Sequence, residues 1–191
     1  MKQKIDKVEQ ITDERWINLF HIVYHNSKEK ICHWVFASRK KSPFEDNSLD
    51  AVVIVPFMNT SEGRKIVVTK EYRATIDGYE YGFPAGLIDE GETPVSSAKR
   101  ELTEETGLIV KRILGKSNKI VSSAGLSDET TVMYFVEAEG SITTENQEDV
   151  EDIETLLYSQ EDVKKLLASD EKIGAKAWGV LYYFSKTGNI Q

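Results

Sequence analysis

Residues 86–108 read GLIDEGETPVSSAKRELTEETGL, and how this stretch folds decides how the rest of the chain must fold. Thr93 followed by Pro94 has the form of an N-cap and first helical residue, and Gly107 stands where a left-handed C-cap belongs. The spacing therefore predicts one helix over residues 94–106, with Val95, Ala98 and Leu102 as its buried stripe and Thr106 a further candidate for it. Glu101, Glu104 and Glu105 fall at i, i+3 and i+4, so three carboxylates share one face and repel one another. That arrangement calls for cations. Hard oxygen ligands suit Mg²⁺ or Mn²⁺, which bind through a few carboxylates and a substrate's phosphates. Such an ion neutralises a diphosphate and lowers the pKa of a bound water, both of which favour attack on an anionic phosphorus. Two adjacent glutamates on a helix would otherwise read as a solvated face.

Gly86, Glu92, Arg100, Glu101, Glu104, Glu105 and Gly107, with aliphatic Leu102 and Leu108, follow a longer pattern. They resemble the Nudix box, G-x5-E-x7-R-E-U-x-E-E-x-G-U with U aliphatic, without a departure. The resemblance implies an αβα sandwich of the α/β (α+β) class in which Glu101, Glu104 and Glu105 hold the metal and Glu104 and Glu105 serve catalysis. Arg100 stands roughly 100° around the helix from Glu101, which suits an anchor better than a ligand. In the family this arginine braces the loop before the helix. Glu92 reads as a brace or a weaker metal contact, with bracing favoured, and Gly86 and Gly107 are structural.

Composition agrees with a compact intracellular enzyme. At 191 residues and 40% hydrophobic content the chain can bury a full core as one domain with a smaller appendage. A net charge of −8 and a pI near 5.0 argue against nucleic acid or anionic membranes as main partners. The single cysteine, Cys32, permits no internal disulfide and fits a reducing, cytoplasmic setting. The segment MKQKIDKVEQ lacks an apolar core of the signal-peptide kind, and no apolar run approaches membrane-spanning length.

Residues 14–39 alternate apolar and polar positions in WINLFHIVYH and ICHWVFASR around NSKEK, as a hairpin or small antiparallel sheet would. The polar RKKSPFEDNSLD follows as a linker. AVVIVPF and KIVVTKEYR read as strands around MNTSEGR, and YEYGFPAGLID leads into the box. Further strands are expected in KRILGKSNKIVSSA and TVMYFVEAE, a strand end and helix in LLYSQEDVKKLLASD, and a closing helix over residues 174–186. The expected division is 1–48 as an N-terminal β-region for dimerisation and substrate binding, and 49–191 as the Nudix domain.

A narrower resemblance is to the ADP-ribose and nucleoside-diphosphate-sugar pyrophosphatases, which carry an N-terminal β-domain and use it to form an intertwined homodimer. KEYR, with Arg73, resembles their E-x-x-R element, whose arginine contacts the diphosphate. FPAG places Ala85 where a backbone carbonyl completes the metal shell. SSAGLSDE, ending in Glu129, resembles their S-P-G-x-S-x-E segment, and EDVEDIE resembles the loop that supplies a late catalytic carboxylate, aligned here with Glu151. Asp149 is the alternative in that loop. The chain departs from the subgroup at Ser123 and Ala124, where a proline is usual, and at Gly82, where a glutamate is.

Trp16 and Trp34 read as core or interface aromatics, with adenine stacking across a dimer as the reading the resemblance adds. Arg39 is either a rim charge or a phosphate or base contact. His21, His25 and His33 show no metal-ligand spacing, and neither Ser122 nor Ser123 has a His-Asp partnership. The expected activity is Mg²⁺-dependent hydrolysis of a nucleoside diphosphate linked to another moiety, ADP-ribose or an ADP-sugar first, giving AMP and a sugar phosphate. A GDP-sugar is the second substrate class. A non-catalytic Nudix sensor of such ligands is the rival of another kind, and the intact box weighs against it.

Overall fold

The computed structural model describes residues 4–147 and 151–189. The chain divides into two units, residues 1–50 with 119–131, and residues 51–118 with 132–191.

In the first unit, β1 (Ile5–Gln10), β2 (Asn18–His25) and β3 (Ile31–Ser38) form an antiparallel sheet in that order. The hairpin between β2 and β3 closes where the Asn26 side chain accepts the N–H groups of Lys28 and Lys30 and Glu29 takes φ 57°. Phe20 and Phe36 face each other across the register and are buried, their rings 5.8 Å apart. Large apolar groups remain exposed around them, including Leu19, Ile31, Trp34 and Val35. The register also brings together two histidines that are distant in sequence: the His21 and His33 rings stack at 5.2 Å. Strand β1 was not expected, because IDKVEQ carries only two aliphatic residues and owes its extended form to pairing with β2.

The second unit is built on β4 (Ala51–Thr60), buried at every position from Ala51 to Phe57. Such continuous burial requires cover on both faces, as in a sheet between helices. Next come β5 (Gly63–Arg73), a 3₁₀ turn at Ala74–Ile76, β6 (Gly78–Gly82), β7 (Ala85–Leu87) and α1 (Pro94–Thr106). They are followed by β8 (Ile109–Lys116), β10 (Thr130–Glu139), β11 (Ile153–Tyr158), α2 (Gln160–Leu167) and α3 (Ala175–Thr187), while β9 (Ile120–Val121) and the first two residues of β10 fall in the first unit. The strand order is β11-β5-β4-β10-β8, with β6 beside β5, β7 beside β4 and β9 beside β10. Helix α1 packs on β4, β7 and β8, while α2 packs on α3 and Phe184 of α3 lies 6.1 Å from Phe57 of β4. The result is the αβα sandwich. Among the described residues no helix is long and apolar enough to cross a membrane.

Residues 119–131 return to the first unit. There Ala37 N–H donates to Leu126 O at 2.8 Å, Ser38 Oγ to Asp128 at 3.0 Å, and Thr130 N–H and Oγ1 to Asp50 at 2.8 and 2.9 Å.

Candidate active site

Helix α1 begins with a reciprocal cap in which Thr93 accepts from Ser96 N–H and the Ser96 side chain accepts from Thr93 N–H. It ends at Gly107 with φ 75°, where an added Cβ would also strike Thr143. The expected stripe holds for Ala98, Leu102 and Thr106 but not for Val95, which is exposed in the first turn. Ser97, Glu101 and Glu105 are buried instead, so the helix turns polar groups, two of them carboxylates, toward the sheet. That choice costs free energy unless the site needs charge there.

Glu101 is 8% exposed and Glu105 4%. The Glu101 carboxylate lies against the backbone of β7 so closely that a Cβ at Gly86 would overlap it, which explains why glycine stands there. Glu105 accepts a long hydrogen bond from Ala85 N–H at 3.4 Å. Burial first, and then the nearby Glu71, Glu101 and Glu151, push the Glu105 carboxyl up to about 9. Burial likewise raises Glu101, opposed by Arg100 and reinforced by Glu104 and Glu151. Glu71 is raised by burial, opposed by Arg73 and reinforced by Glu151 and Glu80. Four carboxylates, Glu71, Glu101, Glu105 and Glu151, thus form one interacting group in the second unit.

Arg100 ties the loop before the helix to the helix itself. Its Nε and Nη2 donate to the two oxygens of Glu92 at 3.0 and 2.9 Å, Nη2 also reaches Leu87 O at 3.1 Å, and Nη1 donates to Glu101 and Glu104 at 2.8 Å each. Glu92 further accepts from Ser97 Oγ at 2.5 Å and from Asp89 N–H at 3.2 Å. With Arg100 and Ser97 as its main partners, the Glu92 carboxyl is held down to about 2. These contacts fill Glu92 with structural partners. Glu104 is more exposed than its two neighbours and meets Arg100 at one oxygen. Among the described residues no three His, Cys, Asp or Glu side chains already stand in a metal-binding arrangement.

Arg73 pairs with Glu71 at 2.5 Å and Glu80 at 3.5 Å, and it lines a cavity of about 500 Å³ with Tyr72, Thr75, Ile76 and Glu80. Glu151 is followed by Asp152, which is fixed by Tyr79 Oη at 2.7 Å and by Tyr72 N–H, which donates to its carbonyl at 3.0 Å. Asp149 and Glu148 lie outside the described residues. Arg39, Glu129 and Trp16 belong to the first unit. Arg39 Nε lies 3.9 Å from Glu129 on a pocket of about 40 Å³, and Trp16 is 67% exposed beneath the Arg15 guanidinium. Glu71 was not singled out from the sequence. The available signal was its alternation with Arg73 on one strand, which sets both on the same side of β5.

The family description that matches the chain is the NUDIX domain, over residues 47–178. An ADP-ribose pyrophosphatase of Saccharomyces cerevisiae is 32% identical over 77% of this chain and 63% of its own. One from Bacillus subtilis is 36% identical over 69% of this chain and 71% of its own. A mouse ADP-sugar pyrophosphatase is 29% identical over 73% of this chain, which likewise spans 63% of it. In fold, the crystal structure of an ADP compounds hydrolase matches with a TM-score of 0.72 over 98% of both chains at 17% identity.

Proposed function

Since the chain belongs to the NUDIX domain family, we propose that it is a divalent-cation-dependent hydrolase of nucleoside diphosphates linked to a second moiety, with ADP-ribose or an ADP-sugar as substrate. The observation that carries this reading is the buried carboxylate group on α1, in which the Glu105 carboxyl is driven up to about 9 by burial and by its acidic neighbours. Carboxylates so placed are stabilised by positive charge, and the all-oxygen donor set fits Mg²⁺, with Mn²⁺ as a substitute. Glu101, Glu104, Glu105 and the Ala85 carbonyl would hold it. When bound, the ion supplies charge neutralisation of the diphosphate and a more acidic water.

The side chains divide the remaining work. Arg100, engaged on Glu92, Glu101 and Glu104, sets the orientation of the box carboxylates. Arg73, on the cavity wall, offers its guanidinium to diphosphate oxygens. Glu151, beside Glu105, takes the proton from the attacking water. Water adds to one phosphorus, the bridging P–O bond breaks, and AMP and a sugar phosphate leave.

The first unit, residues 1–48 at its core, is proposed to pair two copies of the chain through its exposed apolar groups. Trp16, Arg39 and Glu129 are its proposed substrate contacts, and the cytoplasm is the proposed compartment. The deciding experiment incubates purified protein with a panel of ADP- and GDP-linked sugars and ADP-ribose, with Mg²⁺ or with chelator, and reads phosphate released after phosphatase coupling. Metal-dependent release from the ADP compounds supports the reading. Release from GDP compounds alone corrects the substrate, and no release from any of them overturns it.

A further inference from the structure

The last turn of α1 leaves carbonyls without helical partners, as every helix end does. Residues 143–147 supply donors, Thr143 N–H to Thr106 O at 3.1 Å and Gln147 Nε2 to Glu105 O at 2.8 Å, and Asn146 Nδ2 adds a second donor at 3.4 Å to Thr103 O, which already accepts the Gly107 N–H. Gln147 differs from the other two because its amide nitrogen makes a second bond, to Ile153 O at 3.0 Å. One NH₂ group thereby joins the backbone of Glu105 to the first residue of β11, two positions after Glu151. The helix end does not depend on it, since Thr155 Oγ1 also donates to Glu105 O at 3.2 Å. On the far side, the same chain segment is held by Tyr72 N–H on Asp152 O.

We infer that Gln147 is a positioning residue whose amide clasps Glu105 to Ile153 and so fixes where Glu151 stands relative to the box carboxylates. Both hydrogens of its NH₂ group are used, so no other residue type of that length reproduces the clasp. The inference rests on the proposed role of Glu151, and its test is arranged so that the two fail separately.

Gln147→Met keeps the length of the side chain and removes both donors, while Thr155 still satisfies the helix carbonyl. Steady-state kinetics should show kcat reduced by about 10- to 100-fold, the scale on which misplacement by an ångström acts, with KM within about twofold. In a Glu151→Gln background the same change should lower kcat no further, because the group it positions is already gone. A purely structural role predicts that the two losses multiply. Amide hydrogen exchange should quicken at Tyr72, whose N–H is bonded to Asp152 O, and stay unchanged at Leu102 in the helix. Multiplying losses, an effect on KM alone, or unchanged exchange at Tyr72 would overturn the inference. Should the unsubstituted protein hydrolyse nothing, the proposed function falls, and the exchange measurement still decides the clasp.

Discussion

Replacing Glu105 by glutamine should make the metal-free protein more stable while abolishing its turnover. The carboxyl is 4% exposed and raised from 4.5 to about 9. A carboxyl whose folded pKa lies above its unfolded value contributes fully below the unfolded value and loses that contribution as pH rises toward the folded one. Between about pH 4.5 and 9 the unsubstituted protein therefore loses stability that glutamine, neutral throughout, retains. A tenfold change in a proton's binding constant corresponds to about 1.36 kcal/mol, so at pH 8, where the folded carboxyl is still mostly protonated and the unfolded one is ionised, the loss is at most about 5 kcal/mol. Relaxation and water entry reduce buried-charge penalties, and we expect about 2 kcal/mol to survive. For a chain of this size that is roughly 4–8 °C in Tm. The assay is thermal unfolding in chelator at several pH values from about 5 to 9, for both proteins. The gap should be near zero at the acid end and widen steadily, and Mg²⁺ should raise the unsubstituted protein alone. A gap independent of pH, or a variant less stable at about pH 8, would refute the argument that burial and acidic neighbours disfavour the ionised Glu105 carboxyl.

Glu151→Gln should lower kcat by about 100-fold or more with KM little changed, whereas Glu154→Gln, on the exposed side of β11, should be nearly silent; equal mild effects in steady-state assays would remove Glu151 as the base. Gly86→Ala should leave a folded protein by circular dichroism but reduce turnover by about 100-fold, because its Cβ displaces the Glu101 carboxylate; full activity would contradict the close approach of β7 to that side chain. Sedimentation at micromolar concentration should show a dimer, and a fully active monomer would end the proposed role of the first unit in pairing two copies.

The box helix was legible from end to end because its signals are local. A Thr-Pro start, a glycine stop and the i, i+3, i+4 spacing act within one turn of the residues they govern. Val95 misled because an apolar residue in a first turn need not face the sheet, and Glu101 and Glu105 took buried places that hydrophobicity alone would not assign them. Glu71 was hidden for a different reason. Its closeness to Glu151 depends on β11 pairing with β5 so that Ile153 lies opposite Glu71, a register set across 82 positions of sequence. The stacking of His21 on His33 is likewise a product of register, since the two belong to opposite arms of a hairpin.

The return of residues 119–131 to the first unit bears on how this chain can be taken apart or recombined. A cut near residue 48 does not release a module. It strands Leu126 and Asp128, whose partners Ala37 and Ser38 leave with the severed piece. Any exchange of N-terminal regions between this chain and a relative must therefore carry the 119–131 segment as well, although the whole box helix intervenes in sequence. Substitutions on one stretch act on the other through these hydrogen bonds, and a graft that moves only one of them should be less stable than its parent.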